Sequence, residues 1–552
     1  MEKDKSPIQS TTVSLHSQTS GSGRATPLQG EPWNILICGD FGFSSKTPHR
    51  VHISEWNDFL SRSRVVLSGN VSDCLSGVDK PLFVEYPVDS IRDFSAPQVE
   101  ERAALLTPFR YAIAAINDLL NGNIDFDQAK ALIEKTALPP MNKHVLLDLL
   151  GKKASPVLTP LLPKPPGNAR IDSVLALVDV PSHGEETGAS APVSDASSAL
   201  FTAVTEGSVI KLPRQELQEQ REHLEAAVKR QVEEIVHAEF FSKRYASWFC
   251  LKKVAGLIGR IKGITVSAFS GSHDELADSL AQALQSSSEQ GLAPDIILLD
   301  DEYGFSNADI SRLEIIANAA SDRMCSVVAS VDSKDALFTD IESCDTLAQF
   351  FDDVRFIPYK KLRTNPLARC LALCGPRVTV GEKEPFIANA GWQFLFAWID
   401  AFLSGQSLFD CTQGQAVSEI PIASTVAVSL PIVKDAAAWG LTLFGSDRYA
   451  GVSIPVMTLL DEQAANPAYS RFGYNIAVNR VMKLVVQKVT AVRENGSVEE
   501  VKSYITKQLA SYDLLSSAEA VSVEAGDQNV LKITVDSAST VCGYPLYIQF
   551  SL

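Results

Sequence analysis

Gly39-Asp-Phe-Gly-Phe-Ser-Ser-Lys46-Thr47 follows an apolar run and has the outline of a phosphate-binding loop. Such a loop needs a glycine directly before its lysine, so that successive backbone N–H groups can wrap the phosphates. Ser45 holds that position and the glycine spacing differs, so nucleotide binding is not expected. Cys370 and Cys374 have no cluster of His or Cys beside them, whereas a structural zinc site takes four ligands. They read as core thiols. The eight histidines are dispersed, and none sits in a Gly-X-Ser-X-Gly or His-Glu-X-X-His setting. No catalytic residue, cofactor site or metal site is expected, and the chain reads as non-enzymatic.

Pro294-Asp-Ile-Ile-Leu-Leu-Asp300-Asp301 resembles the phosphoacceptor strand of response-regulator receivers. A receiver also needs an acidic pair after its first strand, to hold Mg²⁺. The chain offers Ser270-Gly271-Ser272-His273 there, so the plainer reading is a buried strand ending in solvated carboxylates.

The elements that would carry these residues alternate as in an open α/β sheet. Ile35-Leu36-Ile37-Cys38, closed by Gly39-Asp40, predicts a buried strand, and shorter strands fit 65–67 and 82–86. Helices are expected over 96–120 and 125–135, with Asp125 as N-cap and Pro139-Pro140 as the stop. Pro213 opens an amphipathic helix on which Leu217, Leu224, Val228, Val232 and Ile235 share a face. Strands at 264–269, 295–299 and 325–331 then alternate with helices at 274–286 and 306–319, and a helical region covers 385–403. The pattern predicts further helices over 474–492 and 498–512. Two alternating strands close the chain, with Leu531, Ile533 and Val535 on one face and Leu546, Ile548, Phe550 and Leu552 on another.

The organisation expected is a polar arm over 1–31, a domain over 32–151, a linker over 152–212 and a domain over 213–552. The arm is too polar to fold alone, although Val13 and Leu15 alternate and can pair with an offered sheet edge. The linker is rich in Pro, Gly, Ser and Ala, with one apolar island at 171–180. With 66 acidic against 49 basic residues, the formal charge is −17, which argues against nucleic acid or an anionic membrane as partner. The charged start lacks the apolar core of a signal peptide, and the nine scattered cysteines suit a reducing compartment, so the expected location is cytoplasmic.

Longer motifs point to a family. Ile35-Leu-Ile-Cys-Gly-Asp-Phe-Gly-Phe-Ser resembles the opening strand and turn of the small sheath subunit (TssB/VipA-like) of type VI secretion systems. Val51-His-Ile-Ser-Glu-Trp-Asn-Asp-Phe59 and Asp89-Ser-Ile-Arg-Asp-Phe-Ser-Ala-Pro-Gln-Val99 are similar to later segments of that subunit. The second half resembles the large sheath subunit (TssC/VipB-like). The resemblance is carried by His237-Ala-Glu-Phe-Phe with Ser247-Trp-Phe-Cys-Leu251, by Ser272-His-Asp-Glu-Leu-Ala-Asp278, by Asp300-Asp-Glu-Tyr-Gly-Phe305 and by Ala368-Arg-Cys-Leu-Ala-Leu-Cys-Gly-Pro-Arg377.

The resemblance implies a contractile-tail-sheath fold: mixed α/β, with open sheets flanked by helices and extended terminal arms. It further implies a structural subunit that forms a helical homo-polymer around an inner tube protein (Hcp-like). Baseplate proteins and a separate AAA+ unfoldase are the other implied partners. Val13, Leu15, Leu531, Ile533, Val535, Leu546, Ile548 and Phe550 are the candidates for strands exchanged between subunits, within 1–20 and 528–552. Arg480, Lys483 and Lys488 are the candidates for an exposed basic stripe against the inner tube. Two neighbouring readings are the sheath of a phage tail or extracellular injection device, and a receiver-like signalling domain.

Overall fold

Ile35-Leu-Ile-Cys, Ile296-Ile-Leu-Leu, Val327-Val-Ala and Leu371-Ala-Leu-Cys are apolar at every position, the pattern of strands covered on both faces. They lie in one sheet in the computed structural model, which describes residues 32–43, 47–76, 80–151, 214–259, 263–289, 293–335, 337–338, 346–381, 385–403, 409, 412–413, 422–444, 454–461, 466–492, 497–511, 520–525 and 531–551. The expected arm at 1–31 and linker at 152–212 fall outside these residues. The sheet has seven strands in the order Leu441–Leu443, Leu371–Gly375, Ser326–Val331, Ile296–Tyr303, Trp33–Gly39, Ile264–Ser270, His49–Val51. Neighbours are parallel except at the short edge strand His49–Val51, which runs antiparallel to Ile264–Ser270.

The chain packs into two compact units, Met1–Gly69 with Phe83–Gln98 and Val236–Leu552, and Asn70–Leu82 with Val99–Ile235. These units do not respect the boundary drawn at the linker. The first strand lies with the second half of the sequence, and most of helix Arg214–His237 lies with the first half.

In the larger unit, strands Ile264–Ser270 and Ile296–Tyr303 are joined through helix His273–Glu289 but are not neighbours. Trp33–Gly39 occupies the position between them, with Ile37 aligned to Ala268 on one side and Leu298 on the other. On one face Leu36, Cys38, Ile297 and Leu299 pack with Leu276 and Leu280 of that helix and Leu313 and Ile316 of helix Asn307–Asp322. Helix Ala390–Leu403 packs against three of the central strands. Gly391 permits this, because a Cβ there would come within 2.6 Å of the Leu298 side chain. The region expected to be helical from 385 begins instead with strand Phe386–Ala388, paired to Val378–Val380. Its helix starts only at Ala390.

The end of the chain forms a three-stranded antiparallel sheet, Val521–Ala525, Leu531–Val541 and Tyr544–Ser551. The expected pair thus acquires a third strand on its far side. Cys542 and Gly543, both at positive φ (50° and 82°), make the tight turn between the last two strands.

The smaller unit is mainly helical. Thr107–Asn121, Phe126–Lys135 and Pro140–Gly151 bury Phe109, Ile116, Ile133, Leu146 and Leu150. Helix Arg214–His237 buries the expected Leu217, Leu224, Val228, Val232 and Ile235. Asp125 caps its helix as expected, accepting from the Gln128 amide at 2.8 Å while the Gln128 side chain accepts from the Asp125 amide at 3.0 Å. Pro140 starts a helix rather than ending one, since a first-turn residue has no intrahelical N–H bond to lose. The helical region expected over 96–120 is divided into Ala96–Arg102, Ala104–Leu106 and Thr107–Asn121, because Ala103 is extended and Pro108 sits in the first turn of the last piece.

Candidate functional site

Three groups of residues in the larger unit carry the functional question. The first is on helix Phe472–Val492, where Arg480 and Lys483 share a face. They are not an exposed stripe. Their residues are 3% and 6% exposed, and both converge on the buried carboxylate of Asp295. Arg480 Nη1 donates to Asp295 Oδ2 at 2.8 Å and Lys483 Nζ to Asp295 Oδ1 at 3.1 Å. The Asn34 amide donates to Oδ2 at 2.9 Å, Lys483 also reaches the Pro294 carbonyl, and Arg480 lies 4.6 Å over the Trp33 ring. Burial alone would raise the Asp295 carboxyl, but Lys483, Arg480 and the Asn34 amide outweigh it and hold the group below the ordinary range. The expectation of a basic face for the inner tube is therefore corrected for these two residues: their charge is consumed inside the fold. Lys488 belongs to the same helix, and its side chain lies outside the described ones.

The second group stands at the carboxyl ends of the parallel strands, where open α/β sheets usually place their sites. Gly39 is needed there, because a Cβ would sit 2.9 Å from that of Asp300. Asp40 pairs with Arg244, and Trp248 Nε1 donates to the Phe41 carbonyl at 3.1 Å, so helix Glu239–Ile258 holds the loop after the first strand. Lys46 lies outside the described residues. Asp300 is buried and accepts from Asn389 Nδ2 at 2.9 Å and Trp392 Nε1 at 2.8 Å. Burial raises its carboxyl above the ordinary range. Asp301 is held by Lys243 at 2.8 Å and His273 at 2.7 Å, and Glu302 by Arg377 at 2.6 Å. Asp300 and Asp301 are buried and all three carboxylates are held by neighbouring side chains rather than solvated, whereas a phosphoacceptor must be open to its donor. The receiver-like reading fails on this geometry. Burial likewise raises the thiols of Cys370 and Cys374.

His273 links three elements here. With its proton on Nδ1 it donates to Asp301 and accepts from Arg312 at 3.2 Å; protonated, it faces Asp309 at 3.4 Å as well. The bond to Asp301 raises its pKa, against desolvation and the nearby Arg312. A raised folded-state value means stabilisation that is complete below the ordinary histidine pKa and disappears as pH rises through the raised value. In urea unfolding, the stability lost on His273→Gln should therefore be larger at about pH 5.5 than at about pH 9. A loss independent of pH would show that protonation of His273 plays no part.

The third group is the C-terminal sheet. Ile533, Val535, Leu546 and Ile548 are buried within the chain's own sheet. Ile533 aligns with Phe550 and Val535 with Ile548, while Leu531 aligns with Ala525. Both outer strands of this sheet have one backbone edge without a neighbour among the described residues. Val13 and Leu15 lie outside those residues.

Residues 218–389 match a tail sheath domain. The matching family is VipB, described as EvpB/VC_A0108, tail sheath N-terminal domain. VipB sheath proteins are structural and not enzymatic. Comparison with curated proteins gives no match. The VipB-like stretch supplies four of the seven strands, Ile264–Ser270, Ile296–Tyr303, Ser326–Val331 and Leu371–Gly375. It does not supply Trp33–Gly39, which lies between two of them. The mixed α/β architecture is consistent with a sheath fold. Among the described residues, no helix is long and apolar enough to cross a membrane.

The clamp on Asp295 was beyond sequence reasoning. Arg480 and Lys483 carry the spacing of a solvated helix face, and their acidic partner lies 185 residues away from Arg480. A buried aspartate at a strand start, Pro294-Asp295-Ile296, was the available signal.

Proposed function

We propose that this chain is a structural subunit of a contractile sheath of the type VI secretion kind, with the small and large sheath subunits joined in one polypeptide. The observation that carries the proposal is the position of Trp33–Gly39. This strand, from the part resembling the small subunit, completes the sheet of the part that matches VipB. Two separate chains built this way would be obligate partners, and fusion fixes their ratio at one to one. In this reading copies of the chain form a helical homo-polymer around an Hcp-like inner tube, anchored on baseplate proteins in the cytoplasm. Contraction draws on energy stored at assembly, and recycling falls to a separate AAA+ unfoldase.

Neighbouring subunits are linked by strands from 1–20 and 528–552. The alternation at Val13 and Leu15 suits strand addition, and the C-terminal sheet offers backbone edges to receive it. Negative-stain microscopy of the purified protein should show hollow tubes. Deleting residues 1–20 should leave a folded, soluble protein that forms no long tubes. Normal tubes from the truncated chain would remove the arm from the assembly mechanism.

A further inference from the structure

His273 and Arg312 stand closer together than two cations would. Arg312 Nη1 lies 3.2 Å from His273 Nε2, and a guanidinium does not give up its proton. Nε2 is therefore the bare acceptor of a neutral imidazole, whose one proton sits on Nδ1 and goes to Asp301 at 2.7 Å. The same Nη1 donates to Asp309 Oδ1 at 2.9 Å, and Nη2 pairs with Asp274. Asp309 Oδ1 also lies 3.4 Å from Nε2, which is long for a hydrogen bond. The other titratable groups around the ring hold their charge state while histidine titrates. Burial would raise the carboxyls of Asp301 and Asp309. His273 and Lys243 at the first, and Ser306 and His273 at the second, instead hold both below the ordinary range. Tyr303, its ring 5.0 Å from the imidazole, and Cys38 are pushed up by burial and stay neutral. Asp332 and Asp335 come close to Gly304, beside Asp309, and burial raises the Asp335 carboxyl.

We propose that His273 is a proton-operated latch on Arg312. Neutral, it accepts from Arg312, and the guanidinium ties helix His273–Glu289 to helix Asn307–Asp322 through Asp274, His273 and Asp309. A proton on Nε2 turns that acceptor into a donor facing another donor. Protonated His273 expels Arg312 Nη1, donates to Asp309 itself and takes over the tie between the two helices. Arg312 is then left with Asp274, whose side chain is 81% exposed, and an exposed ion pair holds a side chain only weakly. One proton thus releases one guanidinium at the surface of the larger unit. The latch is independent of the sheath reading.

Solid-state NMR of the sedimented full chain, with ¹⁵N-labelled histidine and arginine side chains, tests the latch. The His273 signals are those missing from a His273→Gln sample. At about pH 9 His273 should carry its proton on Nδ1 with Nε2 bare, the reverse of the form that free histidine favours. As pH falls, Nε2 should gain a proton, and the Arg312 guanidinium signal should shift with the same midpoint. Arg312→Met removes both the opposing charge and the donor to the neutral ring, so it should raise that midpoint by on the order of one pH unit. Asp309→Asn removes the acceptor of the protonated ring and should lower it by a similar amount. A merely structural cluster would not move the midpoint in opposite directions. Nε2 protonated and Nδ1 bare at about pH 9 in the parent overturns the proposal, because Arg312 cannot then donate to that nitrogen. So does an Arg312 signal that ignores the His273 titration.

Discussion

Asp295→Ala is expected to destabilise the protein by about 3–5 kcal/mol, the usual effect of removing one partner from a buried ionic group. Two cations, Arg480 and Lys483, on residues 3% and 6% exposed, would lose the carboxylate they share. The loss is a large fraction of a typical stability of about 5–15 kcal/mol, and urea unfolding followed by circular dichroism would measure it. Asp295→Asn keeps the shape but not the charge, and should be nearly as damaging. The triple change Asp295→Leu, Arg480→Met, Lys483→Met should recover much of the loss, because apolar groups of similar volume often replace buried ion groups without penalty. The depressed carboxyl adds a pH signature: its contribution is present above the ordinary aspartate pKa and falls away as pH drops through the lower folded value. An Asp295→Ala protein within about 0.5 kcal/mol of the parent would mean the cluster is solvated after all.

The second large effect concerns the first strand. Residues 214–552 expressed alone should be insoluble or non-cooperative in unfolding, and co-expression with residues 1–151 should rescue a soluble complex. Without Trp33–Gly39, strands Ile264–Ser270 and Ile296–Tyr303 each present an unpaired edge inside the sheet. The burial of Ile35, Leu36, Ile37 and Cys38 is lost with it. Each large side chain contributes about 1.5–3 kcal/mol, so the deficit is comparable to a typical domain stability of about 5–15 kcal/mol. For the same reason, a protease site placed at 184–198 and cleaved in the native protein should leave both pieces eluting together. A stable, cooperatively folding 214–552 fragment would overturn the composite sheet and weaken the fused-subunit proposal with it.

Much of the secondary structure was legible because it is a local property. The runs around Ile37, Leu298 and Val328 announce buried strands through composition alone. Leu217 to Ile235 announce a helix face through spacing, and Asp125 with Gln128 announces a cap. The errors were local ambiguities. Pro140 can stop a helix or start one, and the apolar residues on its C-terminal side, Leu146, Leu149 and Leu150, decide by packing as a helix face. Phe386-Ile-Ala is too short for periodicity to separate strand from helix.

The sequence by itself determined that this is a mixed α/β protein with a sheath-like order of motifs and without a readable catalytic constellation. Tertiary structure decided which strands are neighbours and which charges are exposed. Trp33–Gly39 sits between strands that begin more than 200 residues later, and no local signal encodes that partnership. Arg480 and Lys483 look solvated on their own helix and are buried only because Asp295 arrives from the sheet. The physical reason is the same in both cases. Periodicity records which face of an element is covered, whereas strand order and ion pairing depend on what covers it, and that is set by contacts distant in the chain.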